Sequence, residues 1–244
     1  MGFINKAGIY EQVEIVSPDN GKTYTVWNQL NPGVEDHFLT NPEGWGQTYY
    51  GLIFALNKRY SNRWLLNASL TLSRAEGLNL GSHKTSGISL VSYTGKFGVD
   101  PNNLINAKAH LNLDRSWSFK VSAAYNFPLD ILASMNLTYQ QGRPKVNFVR
   151  IFDLDQNPFS FTMIIAAPRG TERFGNLLLI DLRLQKTFNI YKTLKLQAFV
   201  DIFNLLNDDT VVAYWSRRMW SVNYDVPMNM PAPRRAQIGL KLEF

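Results

Sequence analysis

The sequence has no cysteine, few charged residues and no long apolar run. The absence of cysteine from all 244 residues excludes disulfides, thiol catalysis and cysteine-ligated zinc. Charged residues make up 18% of the chain, below the roughly one quarter that is usual in soluble domains. Its wholly apolar runs, such as residues 177–180, fall far short of the ~18 residues that a membrane-spanning helix needs. If the chain crosses a membrane, it must therefore do so with strands.

The first residues and the net charge give two further expectations. Residues 1–6 do not place a charged segment before an apolar one, so they predict no secretory signal. The net charge is +6, but the basic residues are scattered and form only short pairs, at 58–59, 217–218 and 234–235. Because no basic helix or aromatic platform accompanies these pairs, we expect no nucleic-acid partner.

The clearest strand pattern lies at the C-terminal end of the sequence. Apolar residues at 236, 238, 240, 242 and 244 alternate with polar or small residues. Side chains alternate across a strand, so the apolar groups fall on one face. Gln237, Gly239, Leu242 and Phe244 also reproduce a polar-x-Gly-x-x-apolar-x-aromatic pattern. That pattern resembles the signal by which the assembly machinery of the bacterial outer membrane recognises its β-barrels, and we expect these four residues to serve that purpose.

Alternation predicts nine strands in all. Their ranges are 8–17, 22–30, 47–58, 64–73, 117–127, 131–140, 176–189, 192–203 and 234–244. The second face of several strands carries Ser, Thr and Asn, which favours a hydrated lumen over the Lys- and Glu-rich exterior of a soluble sandwich. We expect the apolar face to meet lipid, at Leu52, Phe54, Leu66, Leu70, Val121, Leu137, Leu240 and Leu242.

The connections between these strands alternate in length. Short ones lie near 18–21, 59–63, 128–130 and 190–191, and long ones cover 31–46, 75–115, 141–175 and 205–233. Successive connections of antiparallel strands lie at opposite ends, so all short turns should share one rim and all long loops the other. The sequence therefore predicts an all-β fold, an antiparallel transmembrane β-barrel segment with short periplasmic turns and long extracellular loops.

Several short motifs follow one another across residues 47–244. They are Tyr50-Gly51-Leu52, residues 58–64 (KRYSNRW), Asp114-Arg115, Tyr125-Asn126-Phe127-Pro128, Gly142-Arg143-Pro144, Ile180-Asp181-Leu182-Arg183 with Lys186 and Phe188, residues 200–207 (VDIFNLLN), and Pro233-Arg234-Arg235. In order and spacing they resemble the C-terminal end of a TonB-dependent outer-membrane receptor. The similarity is greatest to the subgroup with a carboxypeptidase-regulatory-like domain ahead of its plug.

The resemblance implies a place and a role for the chain. Residues 1–244 would form one domain, the C-terminal part of a receptor barrel in the bacterial outer membrane, surrounded by outer-membrane lipid. The complete receptor would import a ligand that its extracellular loops select. Such receptors also have a signal peptide, an energy-coupling box, a plug and 22 strands. Because these parts are not in the sequence, we expect a fragment whose contact with the TonB system runs through the N-terminal part.

Residues that could carry chemistry give no enzyme signal. His37, His83 and His110 lack the spacing of a metal site. Asp153 and Asp155 could be paired carboxylates, but the neighbouring Asn157-Pro158 indicates a loop turn. No arrangement of nucleophile, base or metal is indicated. We therefore expect no enzymatic activity and no cofactor.

Charged and aromatic residues on the predicted strands favour structural roles. Cross-strand pairing is expected for the charged residues Asp181, Arg183, Lys195 and Asp201. Aromatic side chains near the two rims resemble the girdles at membrane interfaces, namely Tyr60, Trp64 and Tyr191 at the short turns and Tyr50, Trp117 and Tyr139 towards the long loops.

The sequence is also compatible with two other kinds of protein. One is a small, independent outer-membrane barrel. The other is a soluble β-barrel binding protein, whose apolar faces would point inward around a ligand and whose polar faces would meet water. Dependence of the purified protein on detergent would separate this second kind from a membrane wall.

Overall fold

The computed structural model describes residues 2–5, 7–34, 36–40, 46–78, 100–191 and 194–244. The described strands, in chain order, are β1 (Gly2–Asn5), β2 (Tyr10–Val16), β3 (Thr23–Gln29), β4 (His37–Thr40), β5 (Gln47–Ser61), β6 (Trp64–Leu78), β7 (Lys108–His110), β8 (Trp117–Phe127), β9 (Ile131–Gln140), β10 (Phe148–Ile151), β11 (Thr162–Ile165), β12 (Leu177–Tyr191), β13 (Leu194–Phe203), β14 (Ala213–Tyr214), β15 (Pro227–Asn229) and β16 (Arg235–Glu243). Short 3-10 turns occur at Pro101–Leu104 and Pro128–Asp130.

Seven long strands form the main sheet, in the order β16-β13-β12-β9-β8-β6-β5, and β7 pairs with the end of β6. Every neighbouring pair is antiparallel. The predicted all-β antiparallel class is therefore confirmed. Within the described residues the sheet is open, because β5 and β16 form its two edges and do not pair with each other.

Tight turns join consecutive strands at one end of this sheet. Asn62 and Arg63 both have positive φ (51° and 69°), as the two central residues of a type I′ hairpin require. Leu129 and Asp130 between β8 and β9 also have positive φ. The turn predicted at 190–191 is wrong, because these residues are the end of β12, and residues 192–193 before β13 lie outside the described ranges. The long connections leave the sheet from the opposite end, as the sequence predicts.

The first two predicted strands do not join the main sheet, although the sequence predicts them as part of the barrel wall. β2 and β3 pair only with each other, in a separate two-stranded sheet. Asp19 in the turn between them accepts hydrogen bonds from the backbone N (2.7 Å) and Nη2 (2.6 Å) of Arg150, in the connection after β9. The turn at 18–21 therefore packs among the long connections. At seven residues each, these strands are also shorter than the ~9–11 residues of a membrane strand.

The buried core of the described residues lies mainly in the long connections and the β2–β3 hairpin, and Leu78 joins it from the end of β6. One cluster contains Leu78, Ala107, Val146, Phe148 and Ile165, and a second contains Val26, Val149, Ile151, Leu154 and Ile164. We call the packed unit of β2–β3, residues 100–107, β10–β11 and residues 217–220 the cap. Parts of the predicted loops 75–115 and 141–175 are thus folded against each other and against the β2–β3 hairpin.

Candidate functional site

One face of the main sheet is apolar from edge to edge. Ala68, Val121, Leu137 and Ile180 stand opposite one another on β6, β8, β9 and β12. A second row crosses five strands and consists of Tyr125, Ala133, Leu184, Val200 and Ile238. Directly paired residues of an antiparallel sheet share a face. The register places all eight residues predicted to meet lipid on this face.

This apolar face is exposed over much of its area. Ile238 is 78% exposed, Leu240 is 71% exposed and Leu56 is 61% exposed. Apolar patches that cross a whole sheet are rare on soluble monomers and indicate contact with lipid or protein. The arrangement therefore needs an apolar environment on this side.

Polar side chains cover the opposite face. Asn57, Asn67, Ser122, Asn136 and Asp181 form one row across five strands. The Ser122 hydroxyl lies 2.7 Å from Oδ1 of Asn136 in a side-chain hydrogen bond. Such residues hydrogen-bond readily to water, so this face suits a hydrated space and could not form a dry core.

An ion pair on the polar face joins β12 to β13. Arg183 donates from Nε and Nη2 to the two carboxylate oxygens of Asp201, at 2.6 and 2.7 Å. Its guanidinium also lies 4.5 Å from the ring centroid of Phe199. This is the cross-strand charge pairing that the sequence predicts.

The other two predicted charged residues have different contacts. The Asp181 carboxylate accepts a hydrogen bond from the backbone N of Asn204, at 2.8 Å, and so holds the turn after β13. Lys195 stands opposite Glu243 in register. The Glu243 carboxylate nevertheless forms its ion pair with Lys241, at 2.6 Å.

The four residues of the predicted assembly signal lie on or just beyond β16. Gln237 and Gly239 are on the polar face, opposite Asp201 and Phe199, while Leu242 is on the apolar face opposite Leu196. Phe244 follows the end of the strand and is 97% exposed.

Packing against a neighbouring ring explains the glycine at position 239. A Cβ at this position would lie 2.2 Å from Cζ of Phe199, so a larger residue would displace the ring from its place against the edge strand. Aromatic cover of an edge glycine also helps to fix the register between neighbouring strands.

A polar cluster ties the long connections to the sheet, and we call Asp114, Arg173, Ala75 and His110 the rim cluster. The side chain of Asp114 is fully buried and its Oδ2 accepts from Nη2 of Arg173 at 2.6 Å. Its Oδ1 accepts from the backbone N of Ala75 at 2.7 Å, and Nδ1 of His110 lies 3.0 Å from Oδ2. Sequence reasoning noted Asp114 only within a motif and missed Arg173, because no spacing links residues so far apart.

The remaining candidates for chemistry do not form a reaction centre in the described residues. His83 and the side chain of His37 lie outside them. The described part contains no group of three or more His, Cys, Asp or Glu that could hold a metal ion. Asp155 pairs with Asn28, whose Nδ2 donates to its carboxylate at 2.9 Å. Asp153 has a φ of 60°, as expected of the predicted loop turn.

Aromatic side chains lie at both ends of the sheet. Towards the long connections, the rings of Trp117 and Tyr139 contact each other with centroids 4.6 Å apart. At the short-turn end, Nζ of Lys58 lies 4.0 Å from the centroid of the Trp64 ring. Tyr50, Tyr60 and Tyr191 are 56–70% exposed. The two groups stand where the sequence predicts interfacial girdles. No helix among the described residues has the length and apolar character needed to cross a bilayer.

Among solved structures, the chain is similar to an outer membrane transporter. No protein-family model matches the sequence. The search of curated proteins also found no match. The crystal structure of the outer membrane transporter YddB from Escherichia coli aligns with 96% of this chain, at a TM-score of 0.45 and 13% sequence identity. The chain spans 28% of the length of that transporter.

Proposed function

We propose that this chain is the C-terminal part of the barrel wall of a TonB-dependent outer-membrane receptor that imports a ligand. The observation that carries the proposal is the two-faced main sheet, in which apolar rows cross every long strand on one side and polar rows cross on the other. In this role the apolar face meets outer-membrane lipid and the polar face lines the lumen.

The open edges support a wall that other strands complete. Within the described residues, β5 and β16 each have a partner on one side only. Unpaired N–H and C=O groups are very costly in the hydrocarbon of a bilayer, where no water can satisfy them. The rest of the receptor would therefore supply the strands that pair with both edges. It would also supply the part that contacts the TonB system.

The cap supports the orientation of the wall. Apart from the β2–β3 hairpin, it is built from the long connections. In transmembrane barrels such connections are extracellular and the tight turns are periplasmic. A folded cap above a polar lumen can contact a ligand and guide it inward. The chain's role is then binding and passage, without catalysis.

Single cysteines test this topology, because the native chain has none. Phe159→Cys places a thiol in the cap at a fully exposed position, and Asn62→Cys places one in the turn between β5 and β6. In cells that make the complete receptor, we expect a membrane-impermeant maleimide to label Phe159→Cys on intact cells, and to label Asn62→Cys only after lysis. Labelling of Asn62→Cys on intact cells would reverse the orientation. Recovery of the protein in the soluble fraction without detergent would favour a soluble carrier instead.

The residues of the terminal strand are proposed to act in assembly. Phe244 is almost fully exposed, so it contributes little packing to the finished sheet. We expect Phe244→Ala in the complete receptor to reduce outer-membrane abundance sharply and to leave unassembled protein in the periplasm, while the inserted fraction melts almost normally. Quantitative blotting and thermal melting of the same membrane preparation measure both effects. A lowered melting temperature at normal abundance would instead make Phe244 a girdle residue.

A further inference from the structure

A polar depression of about 320 Å³ opens on the polar face of the sheet, at the end nearest the long connections. Its lining includes four small hydroxyl side chains and two basic ones, namely Ser69, Thr71, Ser73, Ser118, Arg115 and Lys120. The hydroxyl residues belong to β6 and β8, so rigid strands hold them in place. Small hydroxyl side chains leave room above the sheet and can donate hydrogen bonds into it.

The positive charge in this depression is not neutralised within the described part of the chain. Asp114 is the acidic residue in the lining, but its oxygens already accept from Arg173 and from the backbone of Ala75. Arg115 donates to the carbonyl of Gln141 and has no carboxylate partner in the described ranges. Lys120 is exposed, and its Nζ makes no ion pair or hydrogen bond to any described residue. The lining therefore contains two positive charges, those of Arg115 and Lys120, that no carboxylate of the described residues neutralises.

Further arginines of the long connections extend this positive region as far as Arg217 of the cap. Burial lowers the pKa of Arg115, and the charges of Arg143 and Arg173 lower it further. Burial also lowers the pKa of Arg217, with a second contribution from Arg143. The pKa of Arg169 is lowered to about 10 by burial and by Arg217.

Arg169 is another buried cation of this region, outside the lining of the depression, and it has no carboxylate partner among the described residues. Its side chain is 3% exposed, yet its Nε has no hydrogen-bond partner among the described residues. A buried guanidinium nitrogen without an acceptor is costly. An anion near these arginines would reduce the repulsion between their positive charges.

We propose that the depression binds an anionic group, a carboxylate or phosphate, on the ligand that passes through the lumen. Arg115 and Lys120 pair with its oxygens, and the hydroxyls of Ser69, Thr71 and Ser118 donate hydrogen bonds to it. This inference rests on the proposed function, because it requires the polar face to line the lumen. It gives the unidentified ligand a chemical class.

Titration calorimetry of the purified protein in a neutral detergent tests the site, with citrate and inorganic pyrophosphate as probes. We expect both anions to bind, and binding to weaken as the sodium chloride concentration rises. Lys120→Gln should raise the dissociation constant about tenfold, since it removes one charged hydrogen-bond donor. Because Nζ of Lys120 contacts no described residue, this variant should melt at the wild-type temperature.

Lys195→Gln is the matched control. It removes the same charge from the same polar face, but at the short-turn end of β13, and it should leave the dissociation constant unchanged. Equal anion affinity in the wild type and Lys120→Gln would overturn the site. Absence of binding by protein that passes the cysteine-labelling test would overturn the site alone. Protein that fails the labelling test overturns the transport role, whatever it binds.

Discussion

Leu70→Arg is expected to lower the free energy of unfolding of the inserted protein by about 2–4 kcal/mol, the cost of a lipid-facing arginine near the bilayer midplane. Leu70 lies on the apolar face, between Phe54 of β5 and Phe119 of β8. A guanidinium at this position has apolar neighbours on both strands and no acceptor for its five N–H groups. Urea unfolding in lipid vesicles measures the change.

Ser69→Arg is the matched control, one residue away on the same strand and on the opposite face. Ser69 stands between Ala55 and Lys120 on the polar side. The new charge meets Lys120, and a like-charge pair across strands costs at most ~1 kcal/mol. Equal losses at positions 69 and 70 would contradict a wall with one lipid-facing and one hydrated side.

The sequence was most informative for the central strands of the sheet. The predicted ranges 117–127 and 131–140 coincide with β8 and β9. Alternation is a local property, and a strand that separates an apolar from a polar environment must show it at every residue. Proline after Phe127 further marks the end of β8, because proline lacks a backbone donor.

The place of the β2–β3 hairpin could not be predicted in the same way. Its strands alternate as the wall strands do, and the turn at 18–21 has ordinary turn residues. Its position in the cap depends on distant contacts, such as Asp19 with Arg150 and Val26 with the second cap cluster. Periodicity shows that a face is buried or exposed, but it does not specify what covers that face.

In the candidate site too, local features could be predicted from the sequence and distant contacts could not. The alternation of the terminal strand predicted the faces of Gln237, Gly239 and Leu242, but the reason for Gly239 is the Phe199 ring on the adjacent strand. The arginines around the cap carry no recognisable spacing, because they come from three different long connections, 75–115, 141–175 and 205–233. They become neighbours only when the cap folds, so their shared charge is a property of tertiary structure.

Asp114→Asn is expected to destabilise the protein by about 3–5 kcal/mol, as happens when one member of a buried ion pair is removed. The amide keeps the shape of the carboxylate but not its charge, so Arg173, whose side chain is 15% exposed, keeps its backbone acceptors but loses its counter-charge. The unpaired charge of Arg173 then repels the half-buried guanidinium of Arg115 more strongly. Urea unfolding measures the loss.

The same variant should loosen the base of the cap, which Asp114 and Arg173 hold to the sheet. We expect limited proteolysis to cut residues 141–175 of Asp114→Asn faster than those of the wild type. Asp155→Asn, at an exposed cap carboxylate, should change stability by no more than about 0.5 kcal/mol. Adding Arg173→Gln to Asp114→Asn should recover part of the loss, because it removes the uncompensated charge. If the double variant is as unstable as the sum of the two single variants, the ion pair is not what secures the cap.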